Sequence, residues 1–98
     1  MTEQWNELIN LNKPTLINFT GENCAPCKLQ KPIIEQLKNK YTQITFINLD
    51  VEKYSEIASK YNIFSIPTIL IFKNGEVIEN IIGRATKSYI ENIIKKIL

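Results

Sequence analysis

The run Cys24-Ala25-Pro26-Cys27 restricts this chain more than any other feature. It follows a compact, mostly apolar stretch from Thr15 to Phe19 and a short loop from Gly21 to Asn23. It opens a segment in which Leu29, Ile33 and Leu37 recur every fourth residue, reading as one apolar stripe of a helix from about Cys24 to Asn39. The two thiols therefore fall where a strand turns into a helix. Pro32 lies inside that helix and predicts a kink.

The rest of the chain supplies the partners such a unit needs. Residues 2–11 read as a short helix with Trp5, Leu8 and Ile9 on one side, broken by Lys13-Pro14. Ile44 to Leu49 is a second strand. Asp50 stands where it can cap a helix carrying Tyr54, Ile57, Ala58 and Tyr61 in the i, i+3, i+4, i+7 pattern. Asn62 follows that stripe and tolerates the left-handed conformation that closes many helices. Thr68 to Phe72 is a third strand. The Asn74-Gly75 pair predicts a tight hairpin to a strand at about 76–82, ended by Gly83. A last helix should bury Tyr89, Ile90, Ile93, Ile94 and Ile97, with Thr86 or Ser88 as its cap and Ser88 with Glu91 as a capping box.

The predicted order is α-β-α-β-α-β-β-α. Strands joined through a helix should be parallel with a right-handed crossover. Every strand reads as apolar on both sides, so helices are expected on both faces of a four-stranded mixed sheet. At 98 residues the expectation is one domain spanning 1–98. No repeat, linker or low-complexity segment interrupts it.

Composition removes several function classes. Hydrophobic residues make up 44% and charged residues 22%, a globular balance. A net charge of +2 gives no electrostatic footprint for nucleic acid or a membrane surface. No apolar run is long enough to span a bilayer. Residues 1–12 show neither a basic start nor an apolar core of a secretory signal, so a reducing, cytoplasmic compartment is expected. Asn18-Phe19-Thr20 matches a glycosylation sequon inside a predicted buried strand and reads as chance.

The chemistry rests on the two cysteines. A thiol attacks a disulfide only as the thiolate. Cys24 stands at the start of a helix, where unpaired backbone N–H groups and the helix dipole stabilise a negative sulfur. Cys27 lies one turn further in, and its sulfur can reach back. Cys24 is thus the expected nucleophile and Cys27 the resolving thiol. Pro26 lacks an N–H that would be orphaned in the first turn anyway. The competing readings are two inert core thiols, which would not favour a proline-containing turn at a strand-to-helix junction, and a metal site. Two cysteines supply only half of a four-ligand zinc site and the chain has no histidine, which leaves only a site shared between subunits. No cofactor is expected.

The sequence resembles the thioredoxin family from Leu16 to Leu98. Leu16-Ile17-Asn18-Phe19 stands where the family has a core strand. Cys24-Ala25-Pro26-Cys27-Lys28 is similar to its Cys-Gly-Pro-Cys-Lys motif, and Pro32 matches its helix proline. Ile66-Pro67-Thr68 matches the tripeptide around its cis-proline, Phe72-Lys73-Asn74-Gly75-Glu76 its hairpin, and Gly83 its active-site glycine. The resemblance implies a thioredoxin fold and a cis Ile66-Pro67 bond facing the cysteines. It implies substrate contacts at Ala25, Pro26, Ile66 and Pro67, where the backbone before the proline pairs with an extended substrate segment.

The departures carry expectations of their own. There is little room for the family's N-terminal edge strand before Trp5, so four strands are expected instead of five. Thr20 and Asn23 stand in place of active-site tryptophans, which predicts a more polar docking face. Trp5, the sole tryptophan, should report the redox state poorly. Asn18 and Asn48 replace a buried aspartate–lysine pair. Replacing both charges avoids the cost of stranding one. An amide cannot take the Cys27 proton, so resolution should be slower or use water or Glu22. Ala25 sits in the dipeptide that tunes the potential. Arg84 is read as a solvated loop residue, or as a group beside the groove that favours the Cys24 thiolate.

The expected function is therefore a monomeric protein-disulfide reductase that cycles between dithiol and disulfide. Its partners would be disulfide-containing proteins and a thioredoxin-reductase-type donor or glutathione. The alternatives are a redox-dependent binding or regulatory module and a glutaredoxin-like reductase.

Overall fold

The structure is a computed structural model that describes residues 2–9 and 13–98. Its elements are α1 (Thr2–Ile9), β1 (Thr15–Thr20), α2 (Ala25–Lys40), β2 (Thr45–Asp50), α3 (Ser55–Lys60), β3 (Thr68–Lys73), β4 (Glu76–Ile82) and α4 (Lys87–Ile97). The expected order holds. The predicted end of the first helix at residues 10–11 and the side chain of Leu8 lie outside the described residues.

The four strands among the described residues form one mixed sheet in the order β2-β1-β3-β4. β1 and β2 run parallel, with Asn18 opposite Asn48. β3 is antiparallel to β1 and to β4. Successive side chains of a strand point to opposite faces. Leu16, Ile69 and Ile71 therefore pack under α2 and α4 with Ile34, Leu37, Ile90 and Ile94. Ile17, Phe19, Leu70 and Phe72 pack on the other face with Trp5, Ile57 and Ala58 of α1 and α3. The same alternation puts Asn18 and Thr20 on the α2 side, beneath the cysteines.

Trp5 contacts Tyr61 and Phe72 at ring-centroid distances of 5.8 and 5.7 Å, and its indole N–H donates to the Tyr61 hydroxyl at 3.1 Å. Its interactions thus belong to the sheet face opposite α2.

Several local expectations change. The stripe of α2 is Cys27, Gln30, Ile34 and Leu37, while Leu29 is 57% exposed. Only the central strands are apolar and buried on both sides. β2 buries Leu49 alone and β4 buries Ile81 alone, because an edge strand lies partly beyond the helices that cover the centre. Tyr89 is 55% exposed. Asp50 caps the turn before α3, accepting from Glu52 N–H and Lys53 N–H, and leaves the helix itself without a side-chain cap. Thr86, not Ser88, caps α4 through the N–H of Tyr89. The turn residues behave as their chemistry predicts. Asn62, Asn74 and Gly75 have φ of 55°, 53° and 82°.

A polar clamp joins the end of α2 to α4. Lys40 pairs with Glu91, and the Tyr41 hydroxyl donates to the same carboxylate oxygen. These bonds, the one from Lys40 first, lower the Glu91 pKa from 4.5 to about 2. A depressed carboxylate pKa contributes stability above the ordinary value, and that contribution is lost as pH falls from 4.5 towards about 2. Glu91→Gln should therefore flatten the decline of Tm over that acid range, by a small amount because Lys40 is exposed. Thermal melts against pH check this. An unchanged acid limb would show that the clamp contributes nothing.

Candidate active site

β1 delivers the chain to the top of the sheet, and the loop 21–24 turns it into α2. Gly21 lies close against Ile66, whose side-chain tip would have to shift to admit a larger residue. A Cβ there would meet Cδ1 of Ile66 at 2.8 Å. Asn23 supplies the left-handed turn, with φ of 55°. A bulky aromatic would be strained in that conformation, which gives a physical reason for a small polar residue.

Cys24 is the N-cap of α2. Its Sγ accepts from the Cys27 N–H at 3.2 Å, and Ala25 and Pro26 occupy the first helical turn. Cys24 and Cys27 are joined as a disulfide with their Cα atoms 5.2 Å apart. Both are buried, whereas Ala25 and Pro26 are exposed. Reduced, Cys24 would meet the helix dipole and that N–H, which favour a thiolate.

The second wall comes from far along the chain. The Ile66-Pro67 peptide bond is cis. The Ile66 carbonyl oxygen lies 3.9 Å from Cys24 Sγ. Its loop is pinned by Thr68 Oγ1 donating to the Ser65 carbonyl at 2.7 Å, and by Gly83 N–H donating to the Pro67 carbonyl at 2.9 Å. Cys24, Ile66, Pro67 and Gly83 are thus brought to one place.

Beneath Cys27 lies a pocket of about 300 Å³, lined by Asn18, Thr20, Gly21, Cys27, Lys28, Lys31 and Asn48. Asn18 Nδ2 donates to Asn48 Oδ1 at 3.1 Å. The two amides are not equally enclosed, which corrects the expectation of two buried residues. Asn18 is 5% exposed, while Asn48 is on the edge strand and exposed. Asn18 Oδ1 is buried with no protein partner. Glu22 is exposed and does not line the pocket. Thr20 forms part of its wall, the place the pleat assigns it.

Arg84 is exposed and lines a separate groove with Asn80, Ile82 and Tyr89. It does not line the pocket under Cys27. Sequence reasoning missed Gln30. This side chain is fully buried one turn beyond Cys27, and its Oε1 accepts from Ala85 N–H at 2.9 Å, tying α2 to the loop that carries Gly83. A polar side chain on a buried helix face gives no hydrophobic signal, so only packing revealed it. Among the described residues no group of His, Cys, Asp or Glu could hold a metal, and no helix is long and apolar enough to cross a membrane.

A disulfide at a helix N-terminus, against a cis-proline edge and over a mixed sheet, defines a thiol–disulfide oxidoreductase centre of the thioredoxin-fold class. The comparisons with known proteins agree. The thioredoxin family model matches residues 1–96. The chain is 34% identical to thioredoxin 1 of Plasmodium falciparum over 95% of its own length and 88% of that protein. It is 41% identical to the chloroplastic M-type thioredoxin of Spinacia oleracea, covering 96% of this chain and 53% of that longer relative, about half its length. Oxidised mitochondrial thioredoxin 3 of Saccharomyces cerevisiae superposes with a TM-score of 0.88 at 30% identity, over 97% of this chain and 89% of that one. The chain belongs to the thioredoxin family.

Proposed function

We propose that this chain reduces protein disulfides by a two-step exchange. The Cys24 thiolate attacks one sulfur of a substrate disulfide. A mixed disulfide forms and the substrate's other sulfur leaves as a thiolate. The Cys27 thiolate then attacks Cys24 Sγ and releases the second substrate sulfur. The substrate gains two electrons and the Cys24–Cys27 pair loses them. A reductase-type dithiol donor, or glutathione, returns them. Such a cycle runs forward in a reducing compartment, in our reading the cytoplasm.

The observation that carries this reading is the 3.9 Å approach of Cys24 Sγ to the Ile66 carbonyl. An extended segment pairing with the Ile66 backbone would bring its own sulfur to Cys24, with Ala25, Pro26 and Pro67 completing the contact surface. The Cys27 proton needs an acceptor before resolution. Asn18 is not one. Glu22 stands outside the pocket, so water held against the partnerless Asn18 Oδ1 is the acceptor that fits; the space is polar and roomy enough for it.

Turnover of a protein disulfide with a recycling reductase or dithiothreitol tests the cycle. Catalytic turnover well above the uncatalysed background is expected. Stoichiometric oxidation without turnover would instead identify a redox-dependent binding module.

A further inference from the structure

The two large apolar side chains most exposed among the described residues stand on the same rim. Phe64 is 90% exposed and Ile82 is 70% exposed. Phe64 precedes Ile66 by two residues, which keeps their Cα atoms within about 7.6 Å. Ile66 in turn carries the carbonyl beside Cys24 Sγ. Ile82 pairs with Thr68 across the sheet, next to Pro67. The expectation of a more polar docking face rests on Thr20 and Asn23 alone. Phe64 and Ile82 add exposed apolar surface near the Ile66-Pro67 edge.

Phe64 is held outward by its neighbours. Ile63 and Ile66 both pack into the core under α3. Ile63 N–H donates to the Ala58 carbonyl at 2.9 Å, and Ser65 holds Thr68. Both flanks of Phe64 are thus anchored, and the ring is left in solvent on a fixed backbone. An exposed aromatic on an anchored loop adds nothing to the core. It is preorganised for contact with something else.

We infer that Phe64 is the specificity-determining residue of the docking face, an anchor that selects disulfides flanked by an aliphatic or aromatic side chain on an extended polypeptide. The inference rests on the exchange cycle proposed above. The occupant is a substrate segment because the ring adjoins the backbone edge on which that segment would lie. A side chain within two residues of the substrate cysteine can reach it from there.

The test uses the full chain and two peptide disulfides of equal length and charge. One carries leucine two residues from a cysteine, the other serine. Their kcat/KM values are measured with recycling, beside a small organic disulfide. The wild-type chain should favour the leucine peptide by about tenfold, the scale expected for partly burying one aromatic contact. Phe64→Ser should lose that preference through KM, with kcat, Tm and the small disulfide unchanged. Phe64→Leu should retain most of it. If the wild-type chain turns over neither peptide, the exchange cycle itself fails. If it turns over both equally, or if Phe64→Ser keeps the preference, the cycle stands and this inference falls. It also falls if Phe64→Ser abolishes a dimer of the chain while leaving selectivity intact, because the ring would then serve a second copy.

Discussion

Cys27→Ser should stop turnover and leave the first chemical step intact. Cys24 keeps its place as N-cap of α2 and its exposure to the dipole, so it still attacks. No second thiol remains to displace the substrate, because Cys24 and Cys27 are the only cysteines. Multiple-turnover rates should fall by at least about a hundredfold, as for loss of a residue that acts as a unit with its partner. Intact mass under non-reducing conditions should show one substrate joined to Cys24. Those captured adducts would name the substrate and the electron donor together. Retained turnover, or an adduct formed in a Cys24→Ser chain, would overturn the assignment of roles.

Asn18→Asp should change stability and resolution in opposite directions. The new carboxyl would be enclosed at a site that is 5% exposed and opposite a neutral amide, Asn48. Burial raises a carboxyl pKa above its unfolded value of about 3.9. A raised carboxyl pKa leaves stability unaffected below the unfolded value. Stability then falls as pH rises to the folded value, and stays low above it. A loss of about 1–3 kcal/mol at neutral pH is the scale for a poorly paired buried polar group. Adding Asn48→Lys should recover part of it. Above its raised pKa the carboxylate can take the Cys27 proton, so the resolving step should accelerate with pH. Denaturant melts and single-turnover release, followed from about pH 6 to about pH 9, measure the two effects. A resolving rate unchanged across that range would show that the residue beneath Cys27 does not limit proton loss.

Much of the fold was legible because its signals are local. The Asn74-Gly75 hairpin, the left-handed Asn62 and the placement of Cys24 at a helix start depend on a few adjacent residues and their sterics. The stripe of α2 was misread because residues spaced by four drift about 40° around a helix at each step. The buried line alternates steps of three and four, and its member Gln30 is polar. The edge strands were misread for a different reason. Ile78 and Ile82 are as apolar as residues of the central strands, and only neighbours in the sheet decide what is covered.

The sequence by itself determined the cysteine pair and its position at a strand-to-helix turn. Those follow from backbone geometry within a few residues. The tertiary structure decided what surrounds the pair. It brought Ile66 to Cys24 across a separation of 42 residues. It buried Asn18 while leaving its partner Asn48 at an exposed edge, and it turned Phe64 outward, two residues before Ile66. Contacts between distant segments depend on how whole layers pack, and no short stretch of residues encodes them.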